Sequence, residues 1–171
     1  PSRGGKSRWA EHLLSSQETV IYVATSAHRS NDPSWDERMR EHRERRPVHW
    51  QLREPGSKLA ECIRKEETNH PLLIDALGGF TAVHLDLDDL QWEQEVAELI
   101  ESLLTRTRPT VVVVEETGWG VVPATRIGGL FRDRQGWLAQ RLEQQAADSW
   151  LVVQGRALNP VSYTHLTLPT T

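Results

Sequence analysis

Short β-prone runs at residues 20–25, 48–53, 72–75, 110–114 and 150–153 alternate with stretches whose apolar residues recur at helical spacing. Four or five strands interleaved with helices predict an α/β fold, a mostly parallel sheet with right-handed crossovers. The runs VIYVAT and TVVVV are continuous, as in strands covered on both faces. Val48, Trp50 and Leu52 instead alternate with His49, Gln51 and Arg53, which predicts a half-exposed edge strand. Helices are predicted over residues 8–14, 36–46, 56–69, 92–106 and 126–147, and Pro47, Pro71 and Pro109 stop three of them. In the fourth, Val96, Leu99, Ile100, Leu103 and Leu104 form the buried side. Gly78 and Gly79 are expected to open an irregular stretch containing Asp86, Asp88 and Asp89.

Residues 1–160 suit one domain with enough apolar content for a core. Residues 161–171 are Thr-rich and continue no periodic pattern, so they are read as a non-native, adapter-derived tail and set aside. A formal net charge of −4 argues against a surface that coats nucleic acid. No run approaches a membrane span. The single Cys62 excludes an internal disulfide and predicts a reducing, cytoplasmic setting.

The chemistry-bearing motifs sit at strand ends and helix starts. Residues 1–7, PSRGGKS, match the last seven positions of the phosphate-binding loop G-x-x-x-x-G-K-S. In such a loop Ser2, Arg3, Gly4 and Gly5 present backbone N–H groups to phosphate, Lys6 reaches the β and γ phosphates, and Ser7 ligates magnesium. A buried strand ordinarily precedes the loop, so the first strand of the sheet is expected to be missing from this sequence. Without it, poor expression is expected. An ordinary glycine-rich helix start is the competing interpretation. The run LLID ends in Asp75, placed as a magnesium carboxylate opposite Ser7; a turn aspartate capping the next segment has the same appearance.

Residues 36–46 carry His42 among Arg38, Arg43, Arg45 and Arg46. Arg38 and Arg45 stand four before and three after His42, so on a helix they share its face and are the candidates for phosphate contact. A solvated, salt-bridged helix is the bland alternative. The histidines show no paired ligand spacing and no cysteine cluster accompanies them, so no structural metal is predicted.

Taken in order, GKSRWAE, VIYVATS, ERMREHRERRPVHW, LLIDAL, EETGWGVVP and FRDRQG resemble the bifunctional adenosylcobinamide kinase and adenosylcobinamide-phosphate guanylyltransferase family of cobalamin biosynthesis. The likeness covers nearly all of residues 1–160. It implies a P-loop NTPase-like, mostly parallel sheet flanked by helices, assembled as a homotrimer. It implies phosphorylation of adenosylcobinamide with Mg2+ and GTP or ATP, then transfer of GMP from GTP to adenosylcobinamide phosphate, giving adenosylcobinamide-GDP. A covalent GMP-histidine intermediate is part of that expectation, and motif position assigns it to His42. The resemblance also places Glu116 near the nucleotide. Arg132, in the FRD piece, either meets a neighbouring subunit's phosphates or pairs with Asp133. Gly118 and Gly120 permit close backbone approach, and Trp119 packs or lines a corrinoid surface.

The sequence departs from the family at Glu115 and Ala139, both commonly asparagine in relatives, and around residues 78–92, where threonine and asparagine are usual. The alternatives are therefore a P-loop protein that binds nucleotide without this catalysis, or a guanylyltransferase that has lost the kinase activity. An RNA-binding module built on residues 38–46 and Trp50 fits poorly with the acidic balance.

Overall fold

The computed structural model describes residues 4–25, 37, 40, 46–66, 69–120 and 123–159. At its centre four parallel strands form one sheet: β1 (Ile21–Ala24), β2 (Gln51–Arg53), β3 (Leu72–Asp75) and β4 (Thr110–Val113), in the order β2-β1-β3-β4. The register sets Ala24 beside Asp75 and Asp75 beside Val113, so three strands end level with one another. Open parallel sheets carry their chemistry at this C-terminal edge.

The described helices are α1 (Lys6–Leu13), α2 (Leu59–Lys65), α3 (Leu77–Val83), α4 (Asp89–Leu104) and α5 (Arg126–Glu143). Two apolar cores show why the strand sequences are continuous. On one face Ile21, Val23, Leu72 and Ile74 pack with Leu59, Ile63, Phe80, Val96, Leu99 and Leu138 from α2 to α5. On the other, Val20, Tyr22, Leu73 and Val113 pack with Ala10 and Leu14 of the first helical segment and with Trp50. Successive strand side chains serve opposite cores, and each fully buried Leu, Ile or Val contributes about 1.5–3 kcal/mol. Among the described residues no helix is long and apolar enough to cross a membrane.

Several expectations are corrected. Residues 77–83 form helix α3 instead of an irregular stretch, because Leu77, Phe80 and Thr81 are fully buried there and tertiary packing outweighs the low helix propensity of Gly78 and Gly79. Val48 lies in a turn and is fully exposed, so the edge strand begins only at Gln51. Helix α4 starts at Asp89, behind a reciprocal cap in which Asp88 accepts from the Gln91 backbone and the Gln91 side chain accepts from the Asp88 N–H. Its Leu104 is 61% exposed and lies outside the core. The run at 150–153 does not join the parallel sheet: β5 (Leu151–Val153) pairs antiparallel with β6 (Arg156–Leu158) as a separate hairpin.

Candidate active site

The level ends of β1, β3 and β4 face the start of α1. Gly5 occupies the α1 N-cap with φ of 96°, a left-handed conformation that strains residues with a Cβ. A Cβ there would also sit 3.3 Å from the Cα of Gly155, in the β5–β6 turn. The Gly155 N–H donates to the Gly4 carbonyl at 2.9 Å, so the hairpin steadies the Gly4–Gly5 corner from behind. Gly5 has no side chain with which to cap α1, and helix starts of this kind point their first-turn N–H groups at anions.

One turn into the site, the Ser7 hydroxyl donates to Oδ1 of Asp75 at 3.1 Å. The second carboxylate oxygen, Oδ2, accepts from the Tyr22 hydroxyl at 2.7 Å. Tyr22 is buried, and burial together with the charge of Asp75 pushes its phenol well above the ordinary range, so the group stays a donor. The Arg46 guanidinium lies 4.6 Å from the centroid of the Tyr22 ring.

A second carboxyl enters from the end of β4. Glu115 accepts from the Gly78 N–H at 2.7 Å and from the Gln135 amide at 3.4 Å, while Gln135 accepts from the Thr81 hydroxyl at 2.5 Å. Burial pushes the Glu115 carboxyl above its usual range, and the nearby Asp75 adds to this; the Gly78 N–H and Lys6 oppose it. Gly78 makes the arrangement possible, since a Cβ at that position would lie 2.7 Å from Glu115 Oε1.

The remaining predicted residues divide into three groups. Gly4, Gly5, Lys6 and Ser7 lie at the start of α1, and Ser7 meets Asp75 at the end of β3. Glu116 is exposed and accepts from the Gly118 N–H at 3.0 Å, and Arg132 pairs with Asp133 at 2.7 Å. Trp119 is largely exposed, and nothing approaches the Gly120 Cβ position within 4 Å. Ser2, Arg3, Arg38, His42 and Arg45 lie outside the described residues. Tyr22 and the Thr81–Gln135–Glu115 chain were not anticipated. A tyrosine inside an otherwise aliphatic run and a glycine pair within a buried segment were their only traces in the sequence.

A hydroxyl and a carboxylate held together offer hard oxygen donors of the kind magnesium takes alongside phosphate oxygens. The parallel sheet with flanking helices, and a Gly-Gly-Lys-Ser helix start facing a strand-end carboxylate, define an α/β protein consistent with the P-loop NTPase-like class. The family model for cobinamide kinase / cobinamide phosphate guanyltransferase matches residues 1–159, and this chain belongs to that family. It is 33% identical to the bifunctional adenosylcobalamin biosynthesis protein CobU of Salmonella typhimurium, over 90% of this chain and 92% of the relative. The CobU protein of Escherichia coli is also 33% identical, with the same coverage. The bifunctional adenosylcobalamin biosynthesis protein CobP of Pseudomonas aeruginosa is 36% identical, over 90% of each chain.

Proposed function

We propose that this chain, as a cytoplasmic homotrimer, phosphorylates adenosylcobinamide and then transfers GMP from GTP to adenosylcobinamide phosphate. The observation that carries the reading is the 3.1 Å contact between Ser7 and Asp75, the two groups a magnesium-nucleotide site requires. Family membership supplies the substrates.

In the kinase step, Lys6 and the first-turn N–H groups of α1 hold the β and γ phosphates of GTP or ATP, with Ser2, Arg3, Gly4 and Gly5 completing the loop. Ser7 and Asp75 would hold Mg2+, which supplies charge neutralisation at the phosphates. The adenosylcobinamide hydroxyl oxygen attacks the γ phosphorus, the bridging bond to the β phosphate breaks, and the nucleoside diphosphate leaves. We assign Glu116 to orient the hydroxyl and receive its proton.

In the transferase step, neutral His42 attacks the α phosphorus of GTP and pyrophosphate leaves, forming an N–P bond. An oxygen of adenosylcobinamide phosphate then attacks the same phosphorus, the N–P bond breaks, and adenosylcobinamide-GDP forms. Arg38 and Arg45 offset the charge that builds on the phosphates, and Arg132 contributes from a neighbouring subunit of the trimer.

Incubation with GTP labelled at the α phosphate tests the transferase. A covalent, acid-labile label should appear on the protein and be absent from His42→Ala; no label on the unmodified protein would overturn the reading. Transfer of γ-label to adenosylcobinamide tests the kinase separately, and light scattering tests the trimer.

A further inference from the structure

Tyr22 sits in β1 among aliphatic neighbours, where a phenylalanine would fill the same volume. Its hydroxyl nevertheless reaches across to the end of β3 and donates to Asp75 Oδ2 at 2.7 Å, the length of a charge-assisted bond. Ser7 takes the other oxygen, at 3.1 Å. The two carboxylate oxygens therefore have different duties: one is pinned by the sheet interior and the other faces the helix start. The ring belongs to the buried cluster of Ala10, Leu14, Val20 and Leu73, and the Arg46 guanidinium stands over it at 4.6 Å from its centroid. A short polar side chain at a strand end has freedom to rotate, and partners of this kind orient metal-binding carboxylates.

We propose that Tyr22 is a positioning residue for the magnesium site, its hydroxyl holding Asp75 so that the carboxylate presents Oδ1, beside Ser7, to the metal. The inference rests on the proposed role of Asp75, and its test separates the two.

Manganese(II) serves as the probe, with its binding measured by electron paramagnetic resonance in the presence of a non-hydrolysable GTP analogue. Tyr22→Phe keeps the ring and removes the hydroxyl. It should weaken manganese binding about tenfold, leave metal-free binding of the analogue unchanged, and unfold within a few degrees of the parent. Asp75→Asn should weaken manganese binding at least as much. Weak binding in Asp75→Asn with parental binding in Tyr22→Phe would overturn the role of Tyr22 alone. Parental binding in Asp75→Asn would overturn the magnesium reading and the inference with it.

A second measurement needs no change at position 22. The sequence holds two tyrosines, at 22 and 163, so 3-fluorotyrosine incorporated into Tyr163→Phe protein gives one fluorine resonance. That resonance should move when magnesium is added to the analogue complex and stay still in the Asp75→Asn background. A resonance indifferent to magnesium in the Asp75 protein would also overturn the proposal.

Discussion

The Ser7 hydroxyl and the Asp75 carboxylate meet at 3.1 Å across 68 positions of sequence, joining the first turn of α1 to the end of β3. Neither residue is arranged by its local sequence alone. Pairing of β3 between β1 and β4 fixes the height of Asp75, and packing of Ala10 and Leu14 against Tyr22 and Leu73 brings α1 over the sheet. The site is thus a product of the second apolar core, and disturbance of that core should reach the nucleotide before it reaches the fold.

Ser7→Ala should separate binding from stability. The lost hydrogen bond is worth about 1 kcal/mol net, and Asp75 keeps its bond from Tyr22. A fall in Tm of about 2–4 °C is expected for a domain of this size. Magnesium-GTP should raise the Tm of the parent protein and raise that of Ser7→Ala far less, as measured by thermal shift with and without the metal.

Gly78→Ala should be destabilising because of Glu115, not because of helix propensity, which alanine improves. The new methyl would stand 2.7 Å from Glu115 Oε1 and 2.8 Å from Oε2, in the place where the carboxylate accepts the Gly78 N–H. Overpacking of this kind costs about 1–3 kcal/mol, so Tm should drop by roughly 2–12 °C. The shorter Asn at 115 relieves the clash. Glu115→Asn placed in the Gly78→Ala background should recover most of the loss, a non-additivity that calorimetry on the four proteins would reveal.

These two predictions also mark what was legible in the sequence. The meeting of Ser7 with Asp75 was readable because the two sit in short motifs at a helix start and a strand end, and LLID ends as a strand where the structure ends β3. The Gly78–Glu115 relationship was not readable. It spans 37 positions, and each half looks like a defect when viewed locally: a glycine pair where a helix forms, and a carboxylate beneath a helix. Glu115 registered only as a departure from the family, when it is matched by the absent side chain at Gly78 and by the Gln135 amide. Tyr22 escaped notice for a different reason, because a strand pattern counts tyrosine as a β-former and does not ask where its hydroxyl points. The β5–β6 hairpin was missed at its second strand, since Arg156, Ala157 and Leu158 carry no distinct strand pattern.

Arg134 should prove one of the costlier side chains to lose from α5. It is buried, donates to the carbonyls of His84 at 2.8 Å and Leu87 at 2.7 Å, and lies 5.2 Å from the Trp92 ring centroid. One guanidinium thereby satisfies the turn between α3 and α4. Arg134→Leu keeps bulk but strands the Leu87 carbonyl, at about 1–3 kcal/mol, while the His84 carbonyl keeps the Leu87 N–H at 3.3 Å, so a Tm fall of about 2–12 °C is expected. Arg134→Lys should recover only part of it, because an ammonium lacks the planar fork that spans both carbonyls. A leucine variant as stable as the parent would show that the Leu87 carbonyl finds another donor.

Glu115 gives the protein a pH dependence whose sign follows from burial. Its carboxyl titrates above the ordinary value of 4.5 in the folded state, chiefly because the charged form is desolvated. Between the unfolded and the folded pKa the native chain therefore holds a proton that the unfolded chain has released. Stability contributed by this group is full below the unfolded value, declines as pH rises toward the folded one, and levels off beyond it. Glu115→Gln removes the titration while keeping an oxygen for the Gly78 N–H. The Tm difference between Glu115→Gln and the parent should be small near pH 4, grow in favour of glutamine as pH rises, and reach a plateau. A difference that stays flat from pH 4 to 8 would show that Glu115 ionises as an exposed carboxylate does. A difference that grows in the opposite direction would show that its charged form is the one the Gly78 N–H and Lys6 stabilise.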